Sequence, residues 1–108
     1  PPGEPSAAVA ARVARARERA RVRQGVPNGR LGGSQLARHA ALDADGERLL
    51  LAAAATGAVS GRGADRLRRV ARTLADLEGD DRVRRHHLAE ALAYRRPPFA
   101  VASGSLRE

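Results

Sequence analysis

Between Ser60 and Arg96 the apolar residues keep helical time. Leu67, Val70, Ala71, Leu74 and Leu77 recur every three or four positions, which aligns them on one side of a helix. Ser60 stands where an N-cap belongs and Gly79 where a left-handed C-terminal cap belongs. Asp80 and Asp81 make the turn that follows. Val83 is positioned to staple onto Leu88 across the start of a second helix. Leu88, Ala91 and Leu92 continue the apolar side, Tyr94 and Arg95 close it, and Pro97-Pro98 stops it. A helical hairpin with an apolar face needs further elements to cover that face.

The remaining chain supplies helices rather than strands. Ser6 can cap a long helix to about Gln24, with Val9, Val13, Ala16 and Ala20 in a narrow apolar stripe. Gln24 to Gly33 reads as a connector, with Leu31 anchoring it to the core. Its glycines lack the G-x-G-x-x-G spacing of a dinucleotide site. Ser34 begins a short helix with Leu36, Ala40 and Leu42 inward. Asp43 or Asp45 begins another, through Leu49, Leu50, Leu51 and the Ala52–Ala55 run, ended by Thr56-Gly57. This one is apolar almost all round, which predicts the most buried helix. The expectation is all-α: a small bundle of four to five helices over 6–96, a linker at 1–5 and a flexible tail at 97–108. With 108 residues the chain is one domain at most and buries about 60–65% of its unfolded surface. Tyr94 and Phe99 are its only aromatics and it has no cysteine, so Leu, Val and Ala must build the core. That favours a modest stability, on the order of 5 kcal/mol.

Every basic residue is arginine, and the formal net charge is +8. Such a surface favours polyanions. The absence of lysine is more specific: a Walker A loop needs G-x-x-x-x-G-K-[ST], so these residues cannot form a complete P-loop ATPase. No apolar run approaches the roughly 20 residues that span a bilayer, and the start lacks the apolar core of a signal peptide. No membrane association is expected and a cytoplasmic location is the default. A start without Met, behind a proline-rich lead-in, reads as part of a longer protein. On the first helix, Arg12, Arg15, Arg19 and Arg23 share one flank, Arg17 and Arg21 the other, and Glu18 is the only acid. Three readings stay open: a solvated helix whose arginine stems cover its stripe, nucleic-acid contact through closely spaced phosphates, or a surface for a partner helix.

Few residues suggest chemistry. His39 stands alone. His86 and His87 are neighbours, about 100° apart on a helix, so no metal site is expected from them; His86 can instead pair with Glu90 across one turn. Asp80-Asp81 has too few oxygens at fixed spacing for Ca²⁺. No nucleophile–base pair is recognisable, so an autonomous enzyme is not expected. Arg62 is different. An arginine in the first turn of a helix sits badly with the positive end of the dipole unless an anion is near. By itself that still leaves a plain surface arginine open.

The motif around it resembles a known family. Ser60-Gly61-Arg62, then Arg69-Val70-Ala71-Arg72-Thr73-Leu74-Ala75-Asp76-Leu77, then His87-Leu88-Ala89-Glu90-Ala91-Leu92-Ala93-Tyr94-Arg95 are similar to the C-terminal domain of the magnesium chelatase-like AAA+ ATPases, the ComM and YifB group. The likeness weakens towards Ser6 but covers most of the chain; the family more often has Ala where Gly61 and Gly63 flank the arginine. The resemblance implies a helical lid over an ATP site, with Arg62 as the sensor 2 arginine that reaches the γ-phosphate. It implies ATP and Mg²⁺ as cofactors of a longer parent, a homo-oligomeric ring, a hexamer in this group, as assembly, and DNA as the substrate of the motor. The chain itself would lack activity. The alternative is a free-standing Arg-rich helical module that binds nucleic acid or protein, with Arg12, Arg15, Arg19 and Arg23 as contacts.

Overall fold

The computed structural model describes residues 6–95; the expected linker at 1–5 and tail at 97–108 lie outside the described residues. Five α-helices follow in order: α1 Ser6–Gln24, α2 Gly33–His39, α3 Ala44–Ala55, α4 Gly61–Glu78 and α5 Arg85–Arg95, with a 3-10 turn at Asn28–Arg30. The all-α bundle expected from the apolar spacing is what forms. Among the described residues the only β pairing is an isolated parallel bridge between Leu42 and Val83, closed by Asp43 N–H donating to the Val83 carbonyl at 3.0 Å.

The ends of the helices follow from local chemistry. The Asp43 carboxylate accepts from Gly46 N–H and Ser60 Oγ accepts from Gly63 N–H, so both are N-caps. Gly79 closes α4 at φ 84°, a left-handed position where an L side chain is strained. α5 begins with a less common device. Arg84 N–H donates to His87 Nδ1 at 2.9 Å, so His87 takes the part of the Glu or Gln in a capping box.

α4 is the axis of the bundle and packs on every other helix and on the 3-10 turn. Leu67, Ala71 and Ala75 are buried along it, with Val83, Leu88 and Ala91 from the turn and α5, Leu42 and Leu50 from α3 and its approach, and Val59 before α4. Val70 and Leu74 are half-buried against this core. Leu31, Leu36 and Ala40 form a second small cluster, so Leu31 does anchor its connector. On α1 the inward stripe is narrower than expected: Ala16 and Ala20 are buried, while Val9 is exposed.

One expectation is corrected. α3 is not the most buried helix: only Gly46 and Leu50 are buried on it, and Leu51 is 71% exposed. It packs chiefly on α5 and α4, so one side is covered while Leu51 on the other faces outward despite being apolar. α4 is buried more deeply because its neighbours surround it, although its own composition is more polar.

Candidate anion site at the start of α4

Arg62 is exposed and lies in the first turn of α4. Val59 is buried just before it, at 5% exposure, and fixes the approach of the chain. Ser60 then spends its hydroxyl on Gly63 N–H at 3.0 Å. Arg66 and Arg69 follow at i+4 and i+7, the same face of the helix. All three line a groove of about 1070 Å³ whose other walls include Leu67, Val70, Ala91 and the exposed ring of Tyr94. No carboxylate belongs to this lining. The Tyr94 hydroxyl donates to Glu90 at 3.0 Å, and that bond raises the pKa of the phenol.

The other arginines of α4 have partners. Arg68 grips Glu47 with two bonds of 2.8 Å, which lowers the carboxyl's pKa and raises that of the guanidinium. Arg72 is 2% exposed. It donates to the carbonyls of His39, Asp80 and Asp81 and to the Asp76 carboxylate. Burial pulls the Arg72 pKa down while Asp76 opposes it; an arginine stays charged under such a shift.

Arg72 and Asp76 form a buried pair that was not expected from the sequence. Asp76 is 2% exposed and accepts from Arg72, from both terminal nitrogens of Arg23 and from Asn28, at 2.8–3.0 Å. The signal was present as an Arg and an Asp at i, i+4 beside the buried Ala71 and Ala75. Arg23 therefore points into the fold, binding Asp76 and Asn28. On the same flank of α1, Arg12, Arg15 and Arg19 are exposed, and Arg19 lies 3.7 Å from Asp81. His39 is half-buried, and burial first, then Arg38, Arg23 and Arg72, push its pKa down.

The two adjacent histidines do meet at one carboxylate. His86 Nε2 and His87 Nε2 lie 3.0 and 2.8 Å from Glu78 Oε1, and the three groups could place ligand atoms within 4.8 Å of one another. The expected pairing of His86 with Glu90 does not form, because the turn at Gly79 returns the end of α4 over the start of α5. The two imidazoles hold the Glu78 pKa low. His87 is a poor metal ligand in this arrangement. A backbone N–H can only donate, so His87 Nδ1 is bare and Nε2 carries the proton that points at Glu78.

Comparison with known proteins covers most of the chain. The family profile described as magnesium chelatase, subunit ChlI C-terminal, matches residues 3–95. The uncharacterized protein YifB of Salmonella typhimurium is 42% identical over 93 residues, covering 86% of this chain and 18% of that protein. YifB of Escherichia coli is 38% identical over 94 residues, 87% of this chain and 19% of that protein. The competence protein ComM of Haemophilus influenzae is 37% identical over 93 residues, 86% of this chain and 18% of that protein. The chain thus spans under a fifth of the length of these relatives. No solved structure matches it.

Proposed function

Because this chain belongs to the magnesium chelatase ChlI C-terminal family, we infer that it is the helical lid of a AAA+ motor in which Arg62 is the sensor 2 residue. The observation that carries this reading is Arg62 on a capped helix start, exposed and unopposed by any carboxylate in its groove. A guanidinium beside free helix N–H groups suits an anion, and a γ-phosphate is such an anion. The cationic lining would suit the phosphate end of ATP; Mg²⁺ would be held by other parts of the module, since this lining offers no carboxylate. ATP supplies the phosphoryl group transferred to water. The chain's part is one positive charge that helps hold that group and a rigid body that moves with it. The bundle suits the second task because α4 is locked to α1 through Asp76 and to α3 through Glu47. In a ring of such subunits the motion would act on DNA, as the resemblance to the ComM and YifB group implies.

The test is Arg62→Ala in the full-length protein that carries this domain. ATP hydrolysis should fall about ten-fold or more, equivalent to roughly 1.4 kcal/mol of transition-state stabilisation. The fold should be unchanged by circular dichroism. Full hydrolysis in the variant would sink the sensor role.

A second reading has its own observation: α1 exposes Arg12, Arg15, Arg17 and Arg19, with Glu18 its only acid and already bound by Arg21. Such a face can lie along a nucleic-acid strand without nucleotide. Duplex binding by the chain should then weaken steeply with salt, through counterion release, and on changing Arg12, Arg15 and Arg19 to Glu. Salt-independent binding would exclude it.

A further inference from the structure

We propose that Arg66 and Arg69 extend the Arg62 position into a subsite for a phosphate chain, so that the groove holds two or more linked phosphoryl groups of a nucleotide. The proposal rests on the lid reading for the identity of the ligand, and on three separate observations for the site.

The first is pairing. Among the described residues several arginines hold a carboxylate: Arg21 with Glu18, Arg23 and Arg72 with Asp76, Arg48 with Asp45, Arg68 with Glu47 and Arg84 with Asp80. Arg62, Arg66 and Arg69 form no ion pair among those residues, and they line one groove. Like charges on one face repel, so leaving three together costs stability unless a counter-anion is bound.

The second is the orphan donor. Nη1 of Arg69 is buried and has no hydrogen-bond partner. A buried charged donor normally finds an acceptor; this nitrogen is closed to the groove as it stands, so the half-buried guanidinium must turn about its stem to reach an anion there. Arg72 Nε is also unpartnered, but the other two nitrogens of that guanidinium are saturated by carbonyls and Asp76.

The third is geometry. Positions i, i+4 and i+7 on an α-helix span about 10 Å along its axis. That is a row of charges, suited to a chain of phosphates better than to a single one. The apolar floor of Leu67, Val70 and Ala91 and the exposed Tyr94 ring offer a face for the nucleoside beside it.

The experiment titrates the chain with tripolyphosphate, with orthophosphate and with oligothymidylate at fixed low salt, by calorimetry, in the unmodified chain and in Arg66→Gln, Arg69→Gln and Arg38→Gln. Arg38 is exposed on α2 and outside the groove, so it reports the loss of one charge alone. Tripolyphosphate should bind about ten-fold tighter than orthophosphate, and the two groove variants should each weaken it about five- to ten-fold, the range of one charge-assisted contact at a partly exposed site. Arg38→Gln should change it less than about two-fold, as a screened distant charge does. Equal losses in all three variants would show a diffuse field and overturn the subsite. Tighter binding of oligothymidylate, with the same dependence on Arg66 and Arg69, would overturn the nucleotide assignment in favour of a nucleic-acid strand. Unaltered hydrolysis in full-length Arg62→Ala, with the groove variants still losing tripolyphosphate, would remove the lid reading and leave the subsite. The reverse pattern would do the opposite.

Discussion

Replacing Asp76 by alanine tests how α1 is held to the bundle. The carboxylate is the hub of four hydrogen bonds, two from Arg23 and one each from Asn28 and Arg72. The Asp76 and Arg72 side chains are 1% and 3% exposed. Removing one partner of a buried ion pair costs about 3–5 kcal/mol, because the other charge remains buried. Two features place Asp76→Ala at the lower end. Arg72 keeps three carbonyl acceptors, and Arg23, at 22% side-chain exposure, can swing to water. The expected loss is therefore about 3 kcal/mol, out of roughly 5–15 kcal/mol for a domain of this size. With a urea m-value of about 1.5 kcal/mol/M, the midpoint should fall by about 2 M. Urea titration followed at 222 nm measures this. Amide exchange supplies a second check: α1 rests on Ala16, Ala20 and this network, so it should lose protection before α4 and α5 do. A loss below about 1 kcal/mol, or uniform loss of protection, would show that the network is not what docks α1.

Two further outcomes follow from single contacts. Arg84 above all holds the Asp80 carboxyl at about 2 against an ordinary 3.8, so the folded state binds that proton less readily than the unfolded chain. The resulting stability is complete above pH 3.8, fades as the pH falls towards 2, and is joined by Glu47 and Glu78, whose pKa values are also lowered. Urea midpoints across this range should drop steeply, and Asp80→Asn should flatten the drop; an unchanged slope would refute the assignment. Gly46→Ala should destabilise although alanine favours helices, since its Cβ would lie 2.8 Å from Asp43 Oδ1 and 3.1 Å from Leu42 Cβ. A net loss of about 1–2 kcal/mol is expected by thermal melting, crowding outweighing a propensity gain of about 1 kcal/mol; a rise in Tm would show that the cap relaxes without cost.

The legible part of the fold was the part written in local rules. Ser60, Asp43 and Gly79 terminate helices by hydrogen bonds and backbone angles that depend on a few neighbouring residues, and each does so where the spacing indicated. The Leu67–Leu77 stripe marked α4 as inward because its period is intrinsic to the helix. Arg62 was legible as an anomaly of charge against dipole. Arg66 and Arg69 were not, because an arginine's lack of a partner is visible only once the possible partners have been placed.

The sequence by itself determined that this chain is helical, where most helices begin and end, that its core is aliphatic, and that these residues contain no Walker A loop. Tertiary structure decided which helix is buried, which arginines are spent and which remain available. Apolar composition made α3 look central, yet burial depends on what surrounds a face, and Leu51 stays 71% exposed. Arg23 looked like its flank-mates on α1 until Asp76, 53 positions away, claimed it. His86 had an acid one turn along its own helix and bonded instead to Glu78 across the Gly79 turn. The Arg23–Asp76 contact is strong because the fold encloses the carboxylate, at 1% side-chain exposure, and desolvation strengthens a charge pair; the exposed His86–Glu78 contact follows instead from the path of the Gly79 turn.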